Sequence, residues 1–186
     1  MRKLTVFNFM TLDGYFEGPE KGDLSWHRHG AEESDFAIHM LKTGNTLLFG
    51  RITYDHMAGY WPTPMALQQA PELAAGMNNA DKIVFSRTLE KASWKNTRLI
   101  KSDIVETIRK MKNTSGHDMT LLGSGSILTQ FAAAGLFDAY EFMIDPVALG
   151  KGSSIFKGMT TQLDLELVQA KTFKSGTVLL QYQSRQ

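Results

Sequence analysis

Short apolar runs alternate with amphipathic stretches along most of the chain. Runs rich in β-branched and aromatic residues predict strands, and apolar residues three and four positions apart predict helices. Because strand and helix alternate repeatedly, the pattern favours a mostly parallel sheet with helices on both faces. Strands are predicted over residues 3–10, 47–49, 82–85, 98–100, 119–122 and 139–145, and helices over 31–43, 103–112 and from 127 towards 135.

The last part of the chain has a different pattern. Apolar and acidic residues alternate between positions 163 and 167, and Lys174-Ser175-Gly176 separates residues 163–172 from residues 177–183. This arrangement predicts an antiparallel hairpin. The expected fold is therefore α/β, with a mostly parallel central sheet flanked by helices and a C-terminal antiparallel hairpin. No linker or repeat divides residues 1–186, so a single domain is expected.

Two stretches offer fewer signals. Residues 58–79 contain several prolines and predict irregular structure with one short helix around residues 72–75. Residues 15–30 form a long segment rich in glycine and aromatic residues, and such a loop is usually functional or disordered. Its tyrosine, phenylalanine and tryptophan favour a lid or pocket wall.

Asp103 and Glu106 have the spacing of a capping box at the start of a helix.

Polar and glycine residues follow three of the predicted strands directly. The strand in LLFGRITY ends at Gly50, and Arg51 and Thr53 open a helical turn whose free N–H groups and dipole favour an anion. Ser86-Arg87 follows the strand KIVF, and residues 123–126 (GSGS) follow the strand MTLL. In parallel sheets ligands bind beyond the carboxyl ends of the strands. One extended ligand with several phosphates could contact all three ends.

Each of these turns also has a simpler interpretation. A strand, a turn and a helix with a solvated arginine recur in α/β proteins generally, and Gly-Ser sequences also form flexible turns. The GSGS stretch is neither the GxGxxG dinucleotide fingerprint nor a P-loop. Its weight comes from its position between a buried strand and a helix.

Composition narrows the class of protein. The chain has 186 residues, 42% of them hydrophobic and 21% charged, with a formal charge of +1, so neither nucleic acid nor an acidic membrane surface is an expected partner. No apolar stretch approaches the length of a membrane span or a signal peptide. Cysteine is absent, which excludes disulfides, thiolate metal sites and cysteine nucleophiles. A cytoplasmic location is expected.

The ordered set LLFGRITY, KIVFSRT and LLGSGSILTQFAAAGLFDAYEFMIDPVALGKGSSIF, preceded by TLDGY, resembles the dihydrofolate-reductase-like superfamily. Within it the chain is most similar to the reductase half of the bacterial bifunctional riboflavin-biosynthesis deaminase–reductase and to its stand-alone relatives. The resemblance implies an NADPH-dependent, hydride-transferring reductase. The deaminase half is absent, and its zinc signature needs cysteines that this chain lacks.

The resemblance also assigns cofactor contacts. It implies that Gly50, Arg51 and Thr53 contact a cofactor phosphate, and that Ser86 and Arg87 receive the adenosine ribose with its 2′-phosphate. Two arginines near one ribose favour NADPH over NADH. The turn beneath the pyrophosphate and nicotinamide ribose is assigned to Gly123, Ser124, Gly125, Ser126, Ile127 and Leu128.

The sequence gives fewer indications of the residues that would contact the substrate. Counting back from Gly50, Asp35 takes the position of the pocket carboxylate of folate reductases and could relay a proton, with Glu33 as its rival. Asp13 and Trp61 are placed at the substrate side, although Asp13 also suits a turn and Trp61 the core.

The expected substrate is a small heterocyclic or carbonyl compound, such as a pterin or a riboflavin-pathway pyrimidine. The alternative is a nucleotide-binding module without catalysis. A homodimer is a further expectation. The histidines, including His27-x-His29, lack the spacing of a metal site, so no metal is assigned.

Overall fold

A sheet of eight strands forms the centre of the protein in a computed structural model, which describes residues 1–28 and 30–185. His29 and Gln186 lie outside the described residues. In chain order the elements are β1 (Leu4–Thr11), β2 (Tyr15–Glu17), α1 (Ala31–Lys42), β3 (Thr46–Gly50), α2 (Arg51–Tyr60), α3 (Pro64–Gln69), α4 (Pro71–Asn79), β4 (Lys82–Phe85), β5 (Thr97–Ile100), α5 (Ile104–Lys112), β6 (Met119–Leu122), α6 (Gly125–Ala133), β7 (Ala139–Asp145), β8 (Ser153–Ser154), β9 (Leu165–Thr172) and β10 (Val178–Ser184).

The strand order in the main sheet is β5-β4-β3-β6-β1-β7-β10-β9. Neighbouring strands from β5 to β7 pair in parallel, whereas β10 pairs antiparallel with both β7 and β9. The predicted α/β class, mostly parallel sheet and C-terminal hairpin are therefore confirmed. Since β4, β3, β6, β1 and β7 run in the same direction, their carboxyl ends share one edge of the sheet.

Alternating side chains of β1 serve both faces of the sheet. Leu4 and Val6 join a buried cluster with Ile108 of α5 and Phe131 of α6. Phe7 faces the other way, and its ring stacks on Phe36 of α1 with 6.0 Å between the ring centroids. Helices therefore cover both faces, which holds the shared carboxyl edge on a rigid base.

The segment between α2 and β4 is more regular than expected. Two helices, α3 and α4, replace the predicted irregular stretch with one short helix. Pro64 and Pro71 stand at the helix starts, where the missing N–H of proline removes no intrahelical hydrogen bond. The side-chain oxygen of Thr63 caps α3 by accepting from the Ala66 N–H.

The predicted capping box at α5 is wrong. Asp103 has a φ of 51° in the left-handed region, and its side chain makes no capping hydrogen bond. Ser102 Oγ instead donates to the Asp103 carboxylate at 2.9 Å, and Glu106 pairs with Arg109 at 2.9 Å. The helix itself is present, but the Asp103 and Glu106 carboxylates bind Ser102 and Arg109 instead of the backbone N–H groups of the first turn.

The edge strand β9 is largely open to solvent. Leu167 is 52% exposed and Val168 is 62% exposed. Within residues 1–28 and 30–185, none of the helices combines the length and apolar character needed to cross a bilayer.

Candidate cofactor and active site

The turns after β3 and β6 are joined by hydrogen bonds at the carboxyl edge of the sheet. The Gly50 N–H donates to Ser124 Oγ at 2.7 Å, and Thr53 Oγ1 lies 3.0 Å from the same oxygen. Ser124 thus connects the last residue of β3 to the first turn of α2. The structure brings Gly50, Thr53, Gly123 and Ser124 together, although they come from distant parts of the chain.

Glycine is required at this junction because the two turns approach closely. A Cβ at Gly50 would lie 2.5 Å from Ser124 Oγ, and one at Gly123 would lie 2.8 Å from Thr53 Oγ1. Gly123 also has a φ of 64°, in the left-handed region that favours glycine. The junction has no space for a side chain at Gly50 or Gly123, so a ligand would bind on its outer surface.

Arg51 begins α2 and lies at the rim of this junction. Its Nε donates to Asp55 Oδ2 at 2.5 Å, one turn along the helix, and the two side chains are 39% and 45% exposed. The first N–H groups of a helix have no intrahelical partner, and the helix dipole makes this end positive. A phosphate bound here would share Arg51 with Asp55.

The turn after β4 occupies the neighbouring position in the sheet. The Ser86 N–H donates to the Ile100 carbonyl at 3.1 Å, and Ser86 Oγ accepts from the N–H groups of Thr88 and Leu89. Ser86 therefore shapes the turn, and Arg87 is exposed on it. The structure places Arg87 at a strand end next to that of β3.

The start of α6 contributes backbone rather than side chains. A Cβ at Gly125 would lie 3.2 Å from the Ile155 carbonyl oxygen and 3.3 Å from the Phe16 ring. The side chains of Ile127 and Leu128 belong to the buried core, with exposures of 7% and 0%. Ser126 follows Gly125 in the first turn of α6. A ligand at this helix end would therefore meet the backbone N–H groups and Ser126.

The segment over residues 18–28 lies across the same edge of the sheet. A Cβ at Gly22 would overlap the His56 ring of α2, at 1.7 Å from Cε1. At the other end of the segment, the Arg28 N–H donates to Asp145 Oδ1 at 3.1 Å. The segment thus reaches from α2 to the end of β7 and walls one side of the carboxyl edge.

A buried histidine–aspartate pair fixes the end of this segment to β7. His27 Nδ1 is 2.8 Å from Asp145 Oδ2, and the two side chains are 4% and 0% exposed. The His27 ring also stacks on Phe9 of β1 with 3.8 Å between centroids. Sequence reasoning considered His27 only as a metal ligand and did not consider Asp145. The available signal was an aspartate at the last position of an apolar strand.

The two predicted proton donors, Asp35 and Glu33, lie on α1. Asp35 is exposed on α1, beside Lys171 and Thr172 of β9, and β9 is separated from β6 by β1, β7 and β10. Glu33 is buried, with an exposure of 5%, and its Oε1 accepts from Ser175 Oγ in the β9–β10 turn. The structure does not bring Asp35 together with the ends of β3, β4 and β6.

Asp13 connects two loops. Its Oδ2 accepts from the N–H groups of Leu149 at 3.0 Å and Gly150 at 2.7 Å, and its Oδ1 accepts from Thr11 Oγ1 at 2.6 Å. The hydrogen bond from Thr11, followed by that from Gly150, lowers the pKa of the Asp13 carboxyl. An ionised acceptor held on both oxygens suits a loop connection and is a poor proton donor.

Trp61 lies at the end of α2 and joins it to α4. Its Nε1 donates to Met57 Sδ at 3.1 Å, and its carbonyl accepts from Asn78 Nδ2 at 2.9 Å. The half-buried ring packs against the cluster that contains Tyr54. A place in the core and a place in a pocket wall remain the two interpretations. Among the residues that the structure describes, three or more His, Asp or Glu side chains never group to hold a metal.

Comparison with solved structures identifies the fold of the chain. A dihydrofolate reductase from Enterococcus faecalis, complexed with NADP(H) and RAB-propyl, aligns with a TM-score of 0.64 at 18% identity, over 99% of this chain and 97% of that chain. A Thermotoga maritima diaminohydroxyphosphoribosylaminopyrimidine deaminase/5-amino-6-(5-phosphoribosylamino)uracil reductase aligns with a TM-score of 0.70 at 16% identity, over 99% of this chain and 57% of that chain. The fold is dihydrofolate-reductase-like.

Sequence comparison defines the family. A family model described as the RibD C-terminal domain matches residues 2–179. The protein YyaP of Bacillus subtilis (strain 168) is 31% identical over 183 residues, which cover 97% of this chain and 94% of YyaP. The chain belongs to the RibD C-terminal domain family, and the predicted resemblance is confirmed.

Proposed function

We propose that the protein is an NADPH-dependent reductase that transfers a hydride to a small heterocyclic or carbonyl substrate. The observation that carries this proposal is the junction of the β3 and β6 turns through Ser124 and Gly50, beside the β4 end, at one edge of a dihydrofolate-reductase-like sheet. Family and fold are those of reductases. Extended ligands bind at this edge in parallel sheets.

The residues present fit a phosphorylated dinucleotide. Gly50 and Gly123 keep the two turns compact, which leaves two adjacent helix starts at the edge. Arg51 and Arg87 would supply charge-assisted hydrogen bonds to phosphate, and Ser126 a hydroxyl. The second arginine favours NADPH, whose 2′-phosphate adds an anion that NADH lacks. When bound, the cofactor would supply the hydride for the reduction.

The proposed substrate class is based on the named activities of two structurally similar proteins. The Thermotoga maritima protein is a reductase of 5-amino-6-(5-phosphoribosylamino)uracil, and the Enterococcus faecalis protein is a dihydrofolate reductase. A pyrimidine with a ribosylamino group and a pterin are therefore the first substrates to test.

Calorimetry with NADPH and NADH, followed by steady-state NADPH oxidation with 7,8-dihydrofolate and 5-amino-6-(5-phosphoribosylamino)uracil, tests the proposal. We expect NADPH to bind more tightly than NADH and one substrate to be turned over. Tight NADPH binding with no turnover of any compound would favour the nucleotide-binding module. No binding of either cofactor would contradict both.

We further propose that the protein forms a homodimer through the edge strand β9. The exposed apolar residues Leu167 and Val168 on the edge strand β9 support a homodimer that would cover them. Sedimentation velocity of the wild type and Val168→Glu tests this, since a dimer through β9 would dissociate in the variant. We also propose that the protein acts in the cytoplasm.

A further inference from the structure

We propose that His27 donates the proton in the reduction and that Asp145 positions it. This inference rests on the proposed reductase function and deepens it, because it assigns the second half of the reaction to residues that the sequence did not suggest. The observation is the buried pair itself, with His27 Nδ1 at 2.8 Å from Asp145 Oδ2.

The position of the pair in the sheet points to the reacting end of the site. The ends of β4, β3 and β6 carry the groups suited to phosphates, and the next strands in the order are β1 and β7. Adjacent strands are about 4.8 Å apart, so β7 lies about 10 Å from β6 across the sheet, and Asp145 lies four residues, about 13 Å, beyond the level at which β6 ends. A dinucleotide that begins over β4 and extends past the end of β6 along β1 would direct its far end towards Phe9 and Asp145.

The chemistry of the pair suits proton transfer. Asp145 is fully buried, and as a carboxylate it accepts from His27 Nδ1–H, from the Arg28 N–H at 3.1 Å and from Thr177 Oγ1 at 3.5 Å. This arrangement fixes the ring orientation and tautomer, so Nε2 is the nitrogen that gains and loses the proton. The stacked Phe9 ring covers one face of the imidazole, and the His27 side chain is 4% exposed, which keeps it away from bulk water.

The acids that the sequence suggested are less suited to this role. Asp35 is exposed beside β9, and Glu33 is held by Ser175 in the β9–β10 turn. Asp13 has both oxygens engaged by Thr11, Leu149 and Gly150. His27 is a buried imidazole at the end of β7, hydrogen-bonded to Asp145.

The reduction needs one hydride and one proton. Reduction of a C=N or C=O bond adds a hydride, with its two electrons, to carbon, and the cofactor that supplies it is oxidised to NADP⁺. The heteroatom then needs one proton, which His27 Nε2–H gives to it. Neutral His27 then recovers a proton from solvent before the next turnover. No further oxidant or reductant is needed.

The first test is NMR on ¹⁵N-histidine-labelled wild-type protein, which requires no variant to fold. NADP⁺ is compared with 2′-phospho-ADP-ribose, which has the same phosphates but no nicotinamide. We expect both ligands to bind by calorimetry and only NADP⁺ to shift the His27 ring signals. His39, exposed on α1, is the internal control whose signal moves with neither ligand. Binding of both ligands without a His27 shift would overturn the assignment.

The second test separates proton donation from folding. His27→Gln lowers kcat with 7,8-dihydrofolate or 5-amino-6-(5-phosphoribosylamino)uracil by at least about 100-fold, with the NADPH Kd within about twofold of wild type. The matched control His39→Gln keeps the wild-type kcat. Asp145→Asn lowers kcat less, and its His27 ring nitrogens lose the single-tautomer pattern of the wild type. A His27→Gln enzyme with more than half of the wild-type kcat would overturn the proposal.

These results distinguish a failure of the reductase function from a failure of the proton-donor role. If neither NADP⁺ nor 2′-phospho-ADP-ribose binds, the proposed reductase function fails and the proton-donor role fails with it. If both bind and only the His27 readouts are unchanged, the reductase function stands and the role of His27 is wrong. If the pair of His27 and Asp145 is only structural, His27→Gln lowers the melting temperature. In that case NADP⁺ does not shift the His27 ring signals of the wild type.

Discussion

Arg51→Ala isolates the cationic side chain at the start of α2. A hydrogen bond to a charged group contributes about 1.5–3 kcal/mol when it is well made. Arg51 is 39% exposed and already bonded to Asp55 at 2.5 Å, so solvent screening and sharing with that carboxylate reduce its contribution to phosphate binding. We therefore expect a loss near the lower limit, about 1.5 kcal/mol, which is about a tenfold increase in the NADPH Kd.

The same variant should leave the fold intact. An exposed i, i+4 ion pair contributes only about 0.3–0.5 kcal/mol to stability. Arg109→Ala is the matched control, because Arg109 makes a similar exposed ion pair with Glu106 at 2.9 Å, on α5. Asp55→Asn removes the competing carboxylate, so we expect it to tighten NADPH binding by a few-fold.

Isothermal titration calorimetry at low and high salt measures these effects. The difference between wild type and Arg51→Ala should shrink at high salt, because screening weakens a partly exposed charge. Equal NADPH affinities of wild type and Arg51→Ala at low salt, or an equal loss of affinity in Arg109→Ala, would show that Arg51 does not contact a cofactor phosphate.

Three further predictions address the turn after β4, the junction and a buried lysine. Arg87→Ala should weaken NADPH binding by about tenfold and leave NADH binding unchanged, as measured by calorimetry; equal losses for both cofactors would contradict a 2′-phosphate contact. Gly50→Ala places a Cβ 2.5 Å from Ser124 Oγ, so urea denaturation should show a loss of about 1–3 kcal/mol, whereas Gly59→Ala, with open space around it, should be neutral or slightly stabilising. Burial lowers the pKa of Lys82 to about 8 in the folded protein, from 10.5, so the unfolded chain binds more protons between these values. The free energy of unfolding of wild type, relative to Lys82→Met, should therefore rise between pH 8 and 10.5, by at most about 3 kcal/mol; a falling difference would contradict the burial argument.

The strands and the sheet class could be predicted because their signals are local. The apolar runs ending at Gly50, Phe85 and Leu122 are strands in the structure, and the residues after them stand at one edge. Proline was harder to interpret, since Pro64 and Pro71 begin helices instead of interrupting them. A proline is compatible with either role until its neighbours are known.

The pair of His27 and Asp145 could not be predicted in the same way. The two residues are 118 positions apart and meet only because β1 and β7 are neighbours in the sheet and the segment before α1 folds over their ends. That segment has no hydrophobic periodicity from which its path could be derived. For the same reason, counting along the chain suggested Asp35 as the proton donor, although packing places it beside β9.

A crystal structure of the protein with NADP⁺ bound would show directly whether the ends of β3, β4 and β6 hold the cofactor. We expect phosphate oxygens within hydrogen-bond distance of Arg51 and of the backbone at the start of α6, and a 2′-phosphate beside Arg87. A bound cofactor that leaves the ends of β3, β4 and β6 without contact, or that occupies another face of the sheet, would contradict it.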